Sequence, residues 1–354
     1  QLRCLCEEIQ TLVQKETGHP AFITIDQEGG VVTRLSEDFC NVPEEMALAA
    51  TGDPENMKIC AGITARQLLD CGVNFNLAPV LDINNNPQNP VIGVRSYGDT
   101  PETVVKGTLA AIEGYLQEPL LCCGKHFPGH GDTAVDSHLG LPVINKTEEE
   151  LRAFELLPFE AAIRAEIPAI MTSHILFPKI EKEKVPCTMS RTIITDLLKG
   201  KLGFDGLIMS DCMEMNAIQT YYGSVEGVLG ALRAGVDLVC ISHSAEIAEQ
   251  SVLALYRELE KGTLSRVELE RSTDKILAYK EKYRIGRMGS IYSDRKDRVK
   301  EREIRKKSIV HFCGSEPVLG EKPVFIGCDS FCVTQVSNPS ESRSFARYMA
   351  EHLI

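Results

Sequence analysis

Between residues 20 and 285 the sequence alternates short apolar runs with longer amphipathic stretches, and this alternation constrains the fold more than any other feature. Runs that are apolar throughout are typical of parallel strands buried on both faces, and amphipathic stretches between them are typical of crossover helices. The sequence therefore predicts repeated β-α units around a parallel sheet. The predicted strands cover residues 21–25, 73–77, 120–124, 169–172, 206–209 and 236–241.

Helix boundary signals agree with this alternation. Asp53 precedes Pro54, which places a capping oxygen before a proline in the first helical turn. Thr147 and Glu150 have the spacing of a capping box, and Gly18 stands where a helix over residues 2–17 should end. These signals predict helices between the strands.

Polar side chains recur just after the carboxyl ends of the predicted strands, and this favours a closed barrel over a doubly wound open sheet. In a β/α barrel such positions converge on one face, where the active site is built. We therefore predict a TIM-type (β/α)₈ barrel, with its first strand expected before residue 1 because the chain opens inside a helical pattern. The polar residues are Asp26, Lys125, His126, His174, Asp211 and Ser242.

The pattern of the chain changes after residue 285. Residues 1–285 are predicted to form the catalytic barrel, and residues 286–307 a charged linker or solvated helix. Residues 308–354 resume strand-like and helix-like patterns, which indicates the beginning of a second α/β domain.

Composition narrows the class of protein. A net charge of −12 and a pI near 5.3 disfavour a nucleic-acid or anionic-membrane partner, and no apolar run is long enough to span a bilayer. The 13 cysteines lack a zinc-ribbon spacing, and several lie inside apolar runs. We therefore expect mostly free, buried thiols and a cytoplasmic location.

The most concentrated chemistry lies in residues 125–138, directly after a predicted strand. Three histidines, two aspartates and a lysine occur within these 14 residues, which is too polar for a core. Asp136 lies two residues before His138, so its carboxylate can fix the imidazole tautomer and make the ring a proton shuttle.

Two further aspartates occupy strand-end positions. Asp211 follows the strand predicted at residues 206–209, and Asp26 follows the strand predicted at residues 21–25. Each is placed to point into a barrel mouth, and each could instead cap the segment that follows it.

Four segments together resemble the β-N-acetylglucosaminidase branch of glycoside hydrolase family 3. Residues 25–34, 95–98 and 125–138, followed by Ser210 and Asp211, look like its signatures in the same order and at compatible intervals. The resemblance runs from about residue 2 to residue 285. The loop ending in Asp136, Ser137 and His138 is its specific part, because other branches of the family lack it.

The resemblance implies a retaining mechanism without cofactor or metal. It implies Asp211 as the nucleophile and His138 as the general acid/base, assisted by Asp136. The expected substrate is a small carbohydrate with a terminal N-acetylglucosamine, from peptidoglycan or chitin fragments, and the expected setting is bacterial peptidoglycan recycling. The residues implied to hold the terminal sugar are Asp26, Arg34, Arg95, Lys125 and His126.

Two residues depart from the pattern of that branch. Gln27 replaces a histidine often seen there, and Cys212 follows the nucleophile where a small or acidic residue is common. Neither change removes a catalytic group.

Three other functions remain open from the sequence. A metal-dependent hydrolase would use His126, His130, Asp132 and His138 as ligands. A phosphorylase would use the same catalytic residues with phosphate as the acceptor. A non-catalytic sugar-binding protein would keep binding without turnover.

Overall fold

The computed structural model describes residues 1–36, 38–134, 140–287 and 294–310. Within these residues, six strands form one curled parallel sheet with the strands in chain order. Every strand pairs with the next one along the chain, with a helical crossover between them. The strands are β1 (Thr24–Ile25), β2 (Phe75–Asn76), β3 (Leu121–Phe127), β4 (Ala169–Thr172), β5 (Leu207–Cys212) and β6 (Leu238–Cys240).

The helices cover the outer face of the sheet. None in the described ranges is both long and apolar enough to cross a membrane. A π-helix over Thr192–Lys201 precedes β5. The α-helices are α1 (Leu2–Thr17), α2 (Glu45–Ala50), α3 (Pro54–Asp70), α4 (Pro101–Tyr115), α5 (Glu148–Arg152), α6 (Leu157–Arg164), α7 (Asn216–Gln219), α8 (Ser224–Ala234), α9 (Ala245–Lys261), α10 (Arg266–Lys282) and α11 (Arg295–Lys307).

The helix boundary signals act as the sequence predicts. The Asp53 carboxylate accepts a hydrogen bond of 3.0 Å from the backbone N–H of Glu55 at the start of α3. Thr147 and Glu150 form a reciprocal capping box on α5. Gly18 ends α1 with a φ of 76°, a left-handed conformation that glycine adopts without a steric penalty.

Side chains alternate between the two faces of the sheet. Leu121, Met171 and Met209 belong to an inner hydrophobic cluster, which Tyr283 and Ile285 close after α10. The intervening strand residues point outward into the larger cluster that the helices cover. Both faces are therefore buried, as the apolar strand sequences predict.

The predicted eight-stranded barrel is not confirmed. The six predicted strands are present, and the described residues form a half-barrel of six strands. Strands β3 and β5 each extend three residues beyond the predicted ends, so Lys125, His126 and Asp211 are strand residues.

Part of the predicted charged linker is helix α11, which packs against α2 and α3. Ile304 is fully buried there, and the guanidinium of Arg66 lies 2.6 Å from the carboxylate of Asp297. The predicted second domain lies outside the described residues from position 311 onward.

Substitution of Gly114 tests the close crossing of α3 and α4. A Cβ at this buried position would lie 2.2 Å from the backbone oxygen of Lys58, which cannot move without shifting α3. We expect Gly114→Ala to lower the free energy of unfolding in urea by about 1–3 kcal/mol. Gly200→Ala is the control, because its Cβ would meet only one atom, at 3.4 Å. Equal stability of the two variants would contradict this packing.

Candidate active site

The polar residues predicted at the strand ends lie at one edge of the sheet. Asp26 follows β1, Lys125 and His126 lie near the end of β3, and Asp211 is the penultimate residue of β5. All strands are parallel, so these carboxyl ends share one edge.

Glu28 binds two buried cations at this edge. Its carboxylate accepts hydrogen bonds of 2.8 Å from both Nε and Nη2 of Arg95, and it lies 2.6 Å from Nζ of Lys125. Lys125 Nζ also donates to Asp26 at 2.7 Å. Three of the predicted sugar-binding residues, Asp26, Arg95 and Lys125, are therefore joined through Glu28. We call these four residues the Glu28 cluster.

The charges of the Glu28 cluster depend on one another. Burial would raise the pKa of Glu28, but the charges of Arg95 and Lys125 outweigh burial and hold that pKa well below its usual range. Burial would likewise lower the pKa of Lys125, and the charges of Asp26 and Glu28 raise it instead. All three buried members of the cluster are therefore ionised at neutral pH.

A further buried carboxyl group, Glu45, interacts with the cluster. Burial raises the pKa of Glu45 well above its usual range, and its Oε1 accepts a hydrogen bond of 2.8 Å from the backbone N–H of Val80.

A buried aspartate orients His126. Asp82 Oδ2 lies 2.7 Å from His126 Nδ1, and Asp82 also accepts hydrogen bonds from the backbone N–H groups of His126 and His130. Burial would raise the pKa of Asp82, but the charge of His126 lowers it. The contact of Nδ1 with Asp82 leaves Nε2 of His126 as the ring nitrogen available to a ligand hydroxyl.

Gln27 organises the turn that carries Arg34. Its side-chain oxygen accepts hydrogen bonds from the backbone N–H groups of Arg34 (2.8 Å) and Leu35 (3.2 Å). Its amide nitrogen donates to Thr33, which in turn donates to Asn41. The side chain that replaces the expected histidine thus shapes this turn, and Arg34 itself lies at the exposed surface.

The loop after β3 is anchored as far as it is described, to residue 134. Lys146 Nζ lies 2.7 Å from Asp132 and also pairs with the buried carboxylate of Glu155. Asp136 and His138, the predicted proton-transfer pair, lie outside the described residues.

Asp211 is half-buried, and neighbouring contacts fix its backbone. Its Oδ1 accepts a hydrogen bond of 2.7 Å from the N–H of Cys212, whose carbonyl oxygen lies 3.0 Å from Nε2 of His174. Burial raises the pKa of the Cys240 thiol, and the charges of Asp211 and Asp26 raise it further. Both carboxylates therefore lie near Cys240, on the same side of the half-barrel.

The positions considered for a metal have other partners. His130 Nδ1 lies 2.8 Å from the hydroxyl of Thr133, and burial lowers the pKa of His130 to about 4. His126 binds Asp82, and Asp132 binds Lys146. Among the described residues, no group of three or more histidine, cysteine or acidic side chains is arranged to hold a metal ion.

Sequence reasoning missed Glu28 and Asp82 as site residues. Glu28 lies in the segment already singled out, two residues after Asp26. Asp82 lies five residues after the strand predicted at residues 73–77, in a segment without other chemical signals. A carboxylate beside Gly29 was a usable signal for Glu28, but nothing in the sequence links Asp82 to His126.

The half-barrel and the polar carboxyl edge define an α/β enzyme domain of the β/α-barrel class. The model of the glycosyl hydrolase family 3 N-terminal domain matches residues 1–279. The chain therefore belongs to glycoside hydrolase family 3.

Similar proteins lie in the β-hexosaminidase branch of this family. A β-hexosaminidase A from Pseudoalteromonas piscicida is 36% identical over 80% of this chain and 51% of its own length. A β-hexosaminidase from Thiobacillus denitrificans is 34% identical over 72% of this chain and 71% of its own length. The chain thus spans about half of the first relative.

Solved structures agree with this placement. A family 3 β-N-acetylglucosaminidase from Paenibacillus sp. superposes with a TM-score of 0.88 and 39% identity, over 96% of this chain and 67% of that one. A β-glucoside phosphorylase superposes with a TM-score of 0.76 and 25% identity, over 86% of this chain and 56% of that one.

Replacing Glu28 by glutamine tests the Glu28 cluster. The variant removes the carboxylate that pairs with Arg95 and leaves Lys125 paired with Asp26, so we expect Glu28→Gln to lower the free energy of unfolding at pH 7 by about 3 kcal/mol or more. The lowered pKa of Glu28 means that its contribution is fully present above the ordinary glutamate pKa of about 4.3 and is lost as pH falls below it. The difference between wild type and variant in urea titrations should therefore shrink from pH 5 towards about pH 3.

The matched control is Glu149→Gln, an exposed glutamate in the first turn of α5. Its unfolding free energy should change by less than about 0.5 kcal/mol at either pH. A Glu28→Gln protein as stable as this control would show that the cluster contributes little.

Proposed function

We propose that this chain is the catalytic part of a retaining exo-β-N-acetylglucosaminidase. It would release terminal, non-reducing N-acetylglucosamine through a covalent glycosyl-Asp211 intermediate. The observation that carries the proposal is the Glu28 cluster at the same strand edge as Asp211, in a chain of family 3. The similarity to proteins named as a β-hexosaminidase and a β-N-acetylglucosaminidase supports the choice of sugar.

Asp211 has the position that a nucleophile needs. It ends a buried strand, it is only half-buried, and its backbone is fixed by the contact of Cys212 with His174. A carboxylate held in this way can attack the anomeric carbon as the leaving oxygen departs, and the glycosyl ester that forms is then hydrolysed.

His138 is the proposed general acid/base, oriented by Asp136. A histidine titrates near neutral pH, so it can protonate the leaving oxygen and then accept a proton from water with little adjustment of its pKa. This assignment rests on the match of the sequence to the family motif.

The proposed sugar-binding residues have hydrogen-bonding groups that suit the hydroxyl groups of a sugar. Lys125 uses two of its three N–H donors on Asp26 and Glu28, which leaves one for a ligand. His126, whose Nδ1 faces Asp82, would accept a hydrogen bond from a hydroxyl through Nε2. Arg95 and Arg34 complete the proposed set.

The physiological setting is also part of the proposal. Peptidoglycan fragments recovered in a bacterial cytoplasm would present the required terminal sugar. The ten cysteines of the described ranges are all free, and seven are buried, as expected in a reducing compartment.

Substitution of Asp211 tests the mechanism. We expect Asp211→Asn to lower kcat/KM on p-nitrophenyl N-acetylglucosaminide by roughly a thousandfold or more, because an amide cannot form the glycosyl ester. His138→Ala should also reduce turnover severely. Asp205→Asn is the control: this exposed aspartate lies at the opposite end of β5 and should leave kcat/KM unchanged.

Trapping identifies the nucleophile directly. After reaction with a slow 2-fluoro or 5-fluoro sugar, mass spectrometry should find the label on the peptide containing Asp211. A wild-type protein that binds the sugar without turnover, or a label on another carboxylate, would refute the mechanism. Activity lost in EDTA and restored by zinc would instead support a metal-dependent hydrolase.

Phosphorolysis is the second candidate, favoured by the structural similarity to a β-glucoside phosphorylase. A histidine acid/base would repel phosphate less than a carboxylate does. Analysis of the products in phosphate buffer distinguishes the two reactions, because a phosphorylase releases the sugar 1-phosphate and a hydrolase releases the free sugar.

A further inference from the structure

A cavity lies at the edge of the sheet opposite to Asp211. It has a volume of about 470 Å³ and is bounded by the π-helix, the turn from α8 to β6, and α10. Its wall includes Gly235 and Asp237, which precede β6 and therefore lie at the amino ends of the strands. At about 3.3 Å per residue, β5 separates the two edges by roughly 20 Å. We call this the basal cavity.

Cationic side chains dominate the wall of the basal cavity. Five cations face two carboxylates among the lining residues, in a chain whose net charge is −12. The start of α10 borders the cavity at Ser265, and the ends of α8 and α9 border it at Gly235 and Gly262, so both positive and negative helix ends face it. The cations are Arg191, Lys199, Arg233, Arg271 and Lys275, and the carboxylates are Asp237 and Glu268.

The two carboxylates already have partners. Asp237 accepts hydrogen bonds from Ser272 Oγ (2.5 Å), Lys275 Nζ (3.0 Å) and the backbone N–H of Ile208 (3.0 Å). Glu268 lies 2.9 Å from Arg191. Arg233 is paired with acidic residues outside the cavity wall.

Lys199 and Arg271 are the two cations that the cavity does not neutralise. Within the described part of the chain, neither has an ion pair with a carboxylate. Lys199 Nζ donates to the carbonyl oxygen of Gly235 at 2.5 Å, which uses one of its three donors. Burial lowers the pKa of this lysine, and the charges of Asp237 and Glu268 offset the loss of solvation only in part.

We propose that the basal cavity binds a small phosphorylated anion, with Lys199 and Arg271 as its main contacts. Phosphate suits the wall better than a carboxylate does, because its three or four oxygens can accept from a guanidinium and an ammonium together. The volume falls in the range of small-ligand sites, so a phosphate carried by a monosaccharide fits as well as the free ion. The proposal does not depend on the activity assigned to Asp211.

Calorimetric titration of the whole chain tests the proposal at constant ionic strength. The probes are inorganic phosphate and glucose 6-phosphate, with acetate as the carboxylate control. We expect saturable binding of both phosphates with a Kd of about 1 mM or lower, and no saturable binding of acetate. Tighter binding of glucose 6-phosphate would identify a phosphorylated sugar as the ligand class, and equal binding would identify the phosphate group alone.

Matched variants locate the binding. We expect Lys199→Met and Arg271→Gln each to weaken phosphate binding about tenfold or more. Lys201→Met, in the same helix and paired with Glu148, and Arg266→Gln, in the first turn of α10, should bind as the wild type does. Arg271 is exposed, so its variant keeps the test valid if Lys199→Met folds poorly.

Three results would overturn the proposal. They are the absence of saturable phosphate binding up to about 10 mM, equal binding of acetate, and undiminished binding by both Lys199→Met and Arg271→Gln. The last result would move any phosphate site away from the basal cavity, for example to the carboxyl edge of the strands.

Discussion

The carboxylate of Glu28 holds together the cations on which the site depends. Arg95 and Lys125 come from segments 30 residues apart, and both are almost fully removed from solvent. Two like charges in a region of low dielectric would repel each other and would each lose hydration. Glu28, ionised between them, supplies the compensating charge and fixes both side chains through directional hydrogen bonds. Asp26 can then face a ligand, since the buried counter-charge is already provided.

In this arrangement, the side chains that hold other site residues in place differ from the side chains that can contact a ligand. Glu28 and Asp82 are buried and hold Arg95, Lys125 and His126 near the carboxyl edge of the strands. Asp26 and Asp211 are partly exposed and are the carboxylates in reach of a ligand. Lys125 and Arg95 donate hydrogen bonds to one buried acid and His126 donates to another, and these bonds limit the rotation of the three side chains. Such a site pays little conformational entropy when a small polar molecule binds.

The sequence predicted the individual strands and helices better than it predicted the closure of the sheet into a barrel. Apolar runs identify strands because burial on both faces leaves no alternation, and capping residues identify helix starts because their side chains complete local hydrogen bonds. Both signals are local, and the six strands and the caps at Asp53 and Thr147 follow them. The number of strands in the sheet is not a local property of the sequence. A barrel of eight strands was predicted, and the described residues contain six strands.

The site residues divide in the same way, into those that a local signal predicts and those that depend on distant contacts. Asp26, Lys125, His126 and Asp211 were predicted at strand ends, and they lie there because chain direction alone decides it. The roles of Glu28, Asp82 and Gln27 depend on which distant side chain each one meets, which no spacing encodes. Gln27 illustrates this limit: in the sequence it is a departure from a family pattern, whereas in the structure its amide bridges the backbone of Arg34 to Thr33.

The two edges of the sheet differ in their balance of charge, although the same strands form both edges. At the carboxyl edge, buried cations are matched by buried carboxylates, so the polarity is internal and the ligand need not be charged. At the amino edge, Asp237 connects β6 to β5 and α10 through its hydrogen bonds with Ile208, Ser272 and Lys275. The negative charge of Asp237 is compensated by these partners. Lys199 and Arg271 then remain as positive charge beside the same strands. A sheet with balanced charge at one edge and excess positive charge at the other is suited to a neutral sugar at the first and an anion at the second.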